Sequence, residues 1–305
     1  MTRLLRYAVL ALLLTPGSVA AQDFRHASDA YKSGDYETAL RELRPLAKQG
    51  DARAQFNLGA MYAEGQGVAQ DHAEAARWYR LAAEQGFARA QFNLGVMYAE
   101  GQGVAQDHAE AVRWTRMAAE QGNAFAQLNL GGLYAEGQGV AQDHAEAVRW
   151  TRMAADQGYA QAQSNLGAMY EEGHGVAQDH TKAVRWYRMA AEQGNAFGQH
   201  NLGVMYAEGQ GVSQDNAEAV RWFRMAAEQG DAHAQHNLGV IYAYGDGVVQ
   251  DHATAHMWFN IAAANGNEEA RAGRERMEEH MSADAISDAQ RRARLCMSSG
   301  YEACD

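Results

Sequence analysis

Apolar and polar positions alternate along the chain with helical spacing, in two stretches that recur together. In residues 51–65, Ala54, Leu58, Met61 and Tyr62 follow one another at intervals of one, three or four, which predicts an amphipathic helix. In residues 71–86, small residues and a Trp-Tyr pair predict a second helix. The connecting GQGVAQ segment is typical of a tight turn. We name the two predicted helices helix A and helix B.

This helix pair occurs six times with a strict period of 36 residues. The copies are residues 51–86, 87–122, 123–158, 159–194, 195–230 and 231–266. Such a period is typical of a solenoid, in which each repeat buries its apolar face against its neighbours. Residues 22–50 resemble a shortened copy and predict an N-terminal capping helix pair. Residues 267–305 lose the loop glycines and the Trp, and predict a charged, helical C-terminal cap that contains a Cys pair.

Each helix B begins at an aspartate. Asp71 is followed three residues later by Glu74, and this pairing recurs in four of the six copies. In a capping box, the two side chains each accept a hydrogen bond from a free backbone N–H of the first turn. The sequence therefore predicts four capping boxes. Lys182 and Thr254 replace the glutamate in the fourth and sixth copies, where we expect the aspartate cap alone.

Residues 1–21 have the layout of a secretory signal peptide. Arg3 and Arg6 precede an apolar stretch over residues 7–14, and small residues lead to Ala21, after which we predict cleavage. The apolar stretch is too short to span a bilayer. In an oxidising compartment, Cys296 and Cys304 are expected to form a disulfide. We therefore predict a periplasmic or secreted protein without a membrane span after signal cleavage.

The charge and the motifs exclude several classes of function. The chain has 26 Lys and Arg against 38 Asp and Glu, a formal net charge of −12, which disfavours nucleic acid as a partner. The sequence contains no S-x-x-K, G-x-S-x-G or H-E-x-x-H motif. We therefore predict that the protein is not an enzyme, with no catalytic residues, no cofactor and no resident metal.

Two residue types recur at fixed places in helix B. A His follows the aspartate in five copies, and a Trp lies in the middle of the helix in all six. Histidines one period apart are separated by a helix pair, and each helix is roughly 10 Å wide, too far for a shared metal. We therefore expect exposed first-turn histidines and buried tryptophans that pack between layers. The histidines are His72, His108, His144, His180 and His252, and the tryptophans are Trp78, Trp114, Trp150, Trp186, Trp222 and Trp258.

The residues shared by the copies form a longer pattern. In the first copy they are Ala54, Asn57-Leu58-Gly59, Tyr62, Gly65-x-Gly67-Val68, Asp71, Ala75, Trp78-Tyr79, Ala82-Ala83 and Gly86. This pattern closely resembles the Sel-one-like repeat, a relative of the tetratricopeptide repeat. The resemblance implies an all-α fold, an α-solenoid in which antiparallel helix pairs stack into a right-handed superhelix and bind other proteins.

The resemblance leaves alternatives open. Some Cys-rich exported members carry a disulfide in each repeat and are linked to penicillin binding, but this chain lacks those cysteines. An envelope-associated enzyme or β-lactam-binding protein of that type is one alternative. A host-interaction factor is another.

The helix A positions opposite the apolar face differ between copies, and we expect them to line a concave groove that binds a protein or peptide. Exposed aromatic residues are typical anchors of such a surface. Neutral drift of surface residues is the alternative. His200, His233 and His236 could instead form a metal or pH-sensitive site, although no full ligand set is evident. The expected groove residues are Arg53, Phe56, Arg89, Phe92, Phe125, Leu128, Phe197, His200, His233, His236 and Tyr244.

Overall fold

The structure, a computed structural model, describes residues 16–304. Most of the predicted signal peptide lies outside the described residues, and its cleavage stays a prediction. Residues 16–304 form sixteen α-helices and no strand, which confirms the all-α fold of repeated helix pairs. None of these helices is long and apolar enough to cross a membrane. The helices are α1 (Pro16–Lys32), α2 (Tyr36–Lys48), α3 (Ala52–Glu64), α4 (His72–Glu84), α5 (Ala88–Glu100), α6 (His108–Glu120), α7 (Ala124–Glu136), α8 (His144–Asp156), α9 (Ala160–Glu172), α10 (His180–Glu192), α11 (Ala196–Glu208), α12 (Asn216–Ala227), α13 (Ala232–Tyr244), α14 (His252–Ala264), α15 (Glu269–Glu278) and α16 (Ala283–Ser298).

Contacts divide the described residues into two compact units. The first unit comprises residues through Ala126 together with 138–140, and the second comprises residues 127–137 and those from Ala141 onward. Helices A are α3, α5, α7, α9, α11 and α13, and helices B are α4, α6, α8, α10, α12 and α14. In the first unit α3 packs on α4 and α5 on α6, and in the second α9 packs on α10, α11 on α12 and α13 on α14. The repeated sequence pattern thus corresponds to repeated helix pairs within each unit.

The aspartate caps of helices B form, but the predicted capping boxes do not. Asp71 Oδ1 accepts from the backbone N–H groups of Ala73 and Glu74, both at 3.0 Å. The backbone N–H of Asp71 donates to the carbonyl of Tyr62 at 2.9 Å, and the other five aspartates repeat this bond. Because that N–H already donates to a carbonyl of the preceding helix A, it is not available to the glutamate side chain. The prediction of a reciprocal bond was wrong.

In the second and third repeats the glutamate instead accepts a hydrogen bond from the Trp of its own helix, whereas the indole N–H groups of Trp78 and Trp222 have no partner among the described residues. In α6, the indole Nε1 of Trp114 donates to Glu110 at 3.1 Å, and the guanidinium of Arg113 pairs with the same carboxylate at 2.8 Å. Arg113 also lies over the indole ring, 4.1 Å from its centroid. Five of the six tryptophans are buried, which confirms their packing role. The half-buried exception is Trp186, in the repeat where Lys182 replaces the glutamate.

The ladder histidines were expected to be exposed, but most of them are half-buried. His72, His108 and His180 have enclosed Nδ1 atoms without a hydrogen-bond partner. The loop of the following repeat packs on the histidine backbone, and a Cβ on Gly103 would collide with the carbonyl oxygen of His72. The expectation overlooked this loop, which needs glycine both for the close approach and for its positive φ of 68°.

A buried glutamine of helix A connects consecutive helix pairs. Gln199 Nε2 donates to the carbonyl of Ala191 at the end of the preceding helix B, at 3.2 Å, and Gln199 Oε1 accepts from Gln229 at 2.7 Å. The carbonyls that a helix end leaves free are thereby satisfied inside the protein. The same two bonds recur at Gln55, Gln91, Gln163 and Gln235.

The C-terminal segment forms α15 and α16, which both pack on α14. A disulfide joins Cys296 of α16 to Cys304, with the two Cα atoms 4.6 Å apart, and both residues are buried. Ile261 of α14 is completely buried, and it belongs to the same apolar cluster as Cys296. Its equivalent Met225, one repeat earlier, is 37% exposed. The C-terminal helix therefore covers an apolar position that stays partly open in other repeats.

Candidate functional site

In the first unit, Phe56 belongs to an aromatic cluster on helix A. Its ring centroid lies 5.6 Å from that of Tyr79 and 5.3 Å from that of Phe87. Phe56 is half-buried, so only part of the ring is available to a partner. Burial raises the pKa of Tyr79 to about 12, so its phenol stays protonated at neutral pH. This cluster supplies a rigid apolar surface.

The other predicted residues of the first unit vary in exposure. Arg53 is exposed, but it pairs with Asp51 at 2.8 Å and lies 4.3 Å from the centroid of the Phe24 ring. Its charge is thus largely balanced within the unit. Arg89 is exposed and Phe92 is half-buried. Phe125 is 56% exposed, which leaves a large apolar side chain accessible on helix A.

In the second unit, two aromatic residues of helices A remain open to solvent. Phe197 is 44% exposed and makes an edge-on contact with Tyr187, with ring centroids 6.4 Å apart. Tyr244, the last residue of α13, is 66% exposed. Leu128 is half-buried. Helices A of this unit thus present two large aromatic side chains to solvent.

The structure brings two of the three predicted histidines together. The imidazole centroids of His200 and His233 are 6.0 Å apart, and Asn237 lies within 3.3 Å of His200 Nε2. Burial lowers the pKa of His200, and the neighbouring His233 adds to this effect. His236 packs on Phe259 at 5.5 Å. Among the described residues, no three His, Cys, Asp or Glu side chains are placed to hold a metal ion.

Open cavities lie along the helices A of the second unit. One of about 290 Å³ lies beside α9 and includes Phe197 and Glu172. A second, of about 310 Å³, lies between α11 and α13 and is lined by Phe223, Glu208 and Asp246, among others. A third, of about 420 Å³, lies between α13 and α15, where His236 and Tyr244 meet residues of the C-terminal segment. Each combines an apolar wall with at least one carboxylate at its edge.

Charge is distributed unequally between helices A and B of the second unit. Helices α9, α11 and α13 contain no Lys or Arg, and their acidic residues are Glu171, Glu172 and Glu208. The helix B cations already have partners: Arg188 donates to the hydroxyl of Tyr206 at 2.6 Å, and equivalent bonds join Arg152 to Tyr170 and Arg224 to Tyr242. Arg149 and Arg221 pair with Glu146 and Glu218 of their own helices. The helix A face of this unit, formed by the exposed and half-buried residues of α9, α11 and α13, therefore presents carboxylates and histidines but no lysine or arginine.

The repeat pattern matches a family model at every copy. Sel1 repeat segments are recognised at residues 52–87, 88–123, 124–159, 160–195, 196–231 and 232–267. The chain belongs to the Sel1 repeat family. Sel1 repeat proteins are generally protein-interaction scaffolds and are typically not enzymes. A search of curated proteins finds no match.

Two solved structures of Sel1 repeat proteins are similar over most of the chain. One is a protective antigen present in uropathogenic Escherichia coli strains, which displays an SLR fold, with 35% identity, a TM-score of 0.82 and coverage of 90% of this chain and 61% of that one. This chain thus spans less than two thirds of that protein. The other is a Sel1 repeat protein from Oxalobacter formigenes, with 36% identity, a TM-score of 0.71 and coverage of 79% of this chain and 96% of that one.

Several cavity residues of the Sel1 repeats carried no sequence prediction. Phe223 and Phe259 come from helices B, yet they reach the helix A face because glycines there leave room: a Cβ on Gly203 would lie 2.8 Å from the ring of Phe223. The sequence does show that this helix B position varies between repeats. The residues are Tyr79, Thr115, Thr151, Tyr187, Phe223 and Phe259. Arg276, in the third cavity, lies beyond the last repeat, where no periodicity points to it.

Proposed function

We propose that the protein is an exported scaffold that binds another protein, or a peptide from it, in a groove formed by its helix A residues. The observation that carries the proposal is the exposure of large aromatic side chains on helices A. Phe125, Phe197 and Tyr244 are 56%, 44% and 66% exposed. Phe125 and Phe197 occupy equivalent positions that hold Arg, Gln or His in the other repeats, and the position of Tyr244 holds Glu in the other five. Exposed aromatic side chains are typical anchors of a protein interface, which supports these residues as candidate anchors for the partner.

Export is supported by two features. The N-terminal residues have the layout of a signal peptide, and the disulfide between Cys296 and Cys304 suits an oxidising compartment. Similarity to a protective antigen of uropathogenic Escherichia coli favours a second, more specific version, in which the partner is a host protein. Catalysis is not part of the proposal, which follows the absence of S-x-x-K, G-x-S-x-G and H-E-x-x-H motifs from the sequence.

The groove is tested by removing aromatic side chains from helices A of the first unit. Phe92→Ala with Phe125→Ala is expected to weaken capture of the partner from envelope extracts while helicity stays unchanged. The matched control is Leu81→Ala with Met117→Ala, which removes apolar side chains that are 38% and 36% exposed on helices B of the same unit. Equal capture by the aromatic variant and the wild type would remove the main support for the groove. Hydrolysis of nitrocefin by the wild type would favour the enzyme alternative.

A further inference from the structure

The cavity between α11 and α13 departs from the Sel1 repeat pattern at two positions. Asn216 occupies the place of the ladder histidine found in the other five repeats. Asp246 occupies a loop position that is Gln in four repeats and His174 in the fourth repeat. Both residues line the cavity. Other repeats pack with His and Gln at these two positions. The Asn and the Asp therefore make this cavity chemically different from the equivalent places in those repeats.

The comparison with the cavity beside α9 shows what the departures change. There, His144 and His174 occupy the corresponding positions, and their imidazoles stack with centroids 6.1 Å apart. In the cavity between α11 and α13, Asn216 and Asp246 replace both rings. The result is a cavity of about 310 Å³ in which a shorter amide and a carboxylate take the place of two imidazoles.

The rim of this cavity is anionic and has no internal cation. Glu208 accepts a hydrogen bond from Gln210 Nε2 at 2.6 Å, but neither Glu208 nor Asp246 forms an ion pair with any of the described residues. The helix A face around them lacks Lys and Arg, as described above. Two carboxylates at one opening favour a positively charged group from outside the protein.

The interior of the cavity is apolar and aromatic. Val204, Val240 and Ile241 line the walls, and Phe223, only 2% exposed, lies beneath them. A long side chain with a hydrocarbon stem and a cationic head fits this combination, because the stem contacts the apolar wall while the head reaches the carboxylates.

We propose that this cavity binds one arginine side chain of the protein that docks on the helix A face. Arginine fits better than lysine because its planar guanidinium has five N–H donors, which can meet Glu208, Asp246 and the side-chain carbonyl of Asn237 together. The inference rests on the proposed function for the docking of the partner, and it specifies the chemistry of one contact.

The cavity can be tested with a small probe before the partner is known. N-acetyl-arginine N-methylamide is titrated into the isotopically labelled full chain, and NMR signals of the side-chain amides of Asn216 and Asn237 are followed. We expect saturable shifts of both signals. The lysine analogue should bind more weakly, and the citrulline analogue, which has the same shape without the charge, should cause no saturable shift.

Two pairs of substitutions separate a specific site from general attraction to an acidic protein. Glu208→Gln with Asp246→Asn should weaken the binding of the arginine probe by at least about tenfold. Asp156→Asn with Glu228→Gln removes the same charge at exposed ends of helices B and should leave the affinity unchanged. Restoring the repeat pattern with Asn216→His and Asp246→Gln should also abolish binding, while the melting temperature of the chain is retained.

The outcomes distinguish this site from the groove as a whole. No saturable arginine binding, equal binding of citrulline, or equal weakening by both acidic pairs would overturn the arginine site. If the partner still docks through Phe197 in such a case, the proposed function survives and only the cavity assignment fails. Retained arginine binding together with unchanged capture of the partner by a Phe197→Ala variant would support the arginine site and overturn the proposed groove.

Discussion

The two faces of the second unit use similar residue types for different purposes. On the outer face of helices B, arginines are held by carboxylates, tryptophans and tyrosines, as in the pairing of Arg221 with Glu218 and its stacking on Trp222. On the helix A face, Glu208 and Asp246 have no cationic partner among the described residues, and Phe197 stays 44% exposed. The arginines are thus paired on the helix B face, whereas the helix A face leaves two carboxylates and an aromatic ring exposed.

This difference explains where the sequence repeats and where it varies. The Arg-to-Tyr bonds join residues 18 positions apart and connect consecutive helix pairs, so a change in one repeat weakens contact with the next. Phe197 of helix A makes only an edge-on ring contact with Tyr187 of the preceding pair and stays 44% exposed. Substitutions there should alter binding with little effect on stability, and the predictions below separate the two classes.

The largest expected effect is the loss of a buried aromatic ring. Phe223→Ala removes a side chain that is 2% exposed and should lower the free energy of unfolding by about 3–5 kcal/mol. Phe197→Ala, at a position 44% exposed, should lower it by less than about 1 kcal/mol. Urea melts followed by circular dichroism measure both. Similar midpoints for the two variants would break the distinction between a packing residue and a binding residue.

The buried glutamine should contribute less than the ring. Gln199→Leu removes the hydrogen bonds to the carbonyl of Ala191 and from Gln229, so the variant should lose about 1–3 kcal/mol of stability. Gln102→Leu, at an exposed loop position, is the control and should be nearly neutral. The same urea melts apply. A neutral Gln199→Leu variant would show that the glutamine bonds are dispensable for joining the helix pairs.

The Arg-to-Tyr bond between consecutive pairs should have a smaller effect. Arg188→Met and Tyr206→Phe each remove the 2.6 Å hydrogen bond, at an expected cost of about 0.5–1.5 kcal/mol. If the two side chains stabilise the protein through this bond, the second substitution should add little to the effect of the first. The double variant should then be about as stable as the less stable single variant. A double-mutant cycle measures this coupling. Fully additive effects would contradict a direct link between the repeats.

The smallest effect concerns His200 and pH. Burial lowers the pKa of His200 below its ordinary 6.5, with His233 adding to the shift and Asp231 opposing it. As pH falls below that ordinary value, the unfolded chain takes up a proton that the folded chain resists, so stability declines. His200→Phe introduces the residue that the first two repeats have at this position. The melting temperature of this variant should fall less between about pH 7 and pH 5 than that of the wild type. An unchanged slope would show that His200 does not contribute.

The fold was predictable because its determinants are local and repeated. The positions of Leu58 and Trp78, the aspartate caps and the loop glycines each occur six times, so a single helix pair specifies the rest. The capping box failed because the backbone N–H of Asp71 bonds to Tyr62, and this tertiary bond has no sequence signature. The glutamine bonds were missed for the same reason: repetition marks Gln55 as structural without showing which carbonyl it meets.

The candidate site was less predictable, because it depends on side chains that come from several helices. Variation on helix A pointed to Phe197 and Tyr244, and the structure places both at exposed positions. The contribution of Phe223 required knowledge that the glycine of helix A leaves space above its ring. The significance of Asp246 became apparent only with the cavity, since a single departure in a loop looks like drift when viewed in the sequence alone.

Docking on the helix A face is tested most directly by comparing the two faces in the living cell. A photo-reactive benzoylphenylalanine is introduced at Phe197 on helix A and, in a separate chain, at Met225 on helix B, positions that are 44% and 37% exposed. Cross-linked products are then identified by mass spectrometry. We expect a specific cross-link to another protein from Phe197 and none from Met225. Cross-linking of the same partner equally or more strongly from Met225 would show that the helix A face is not the docking surface.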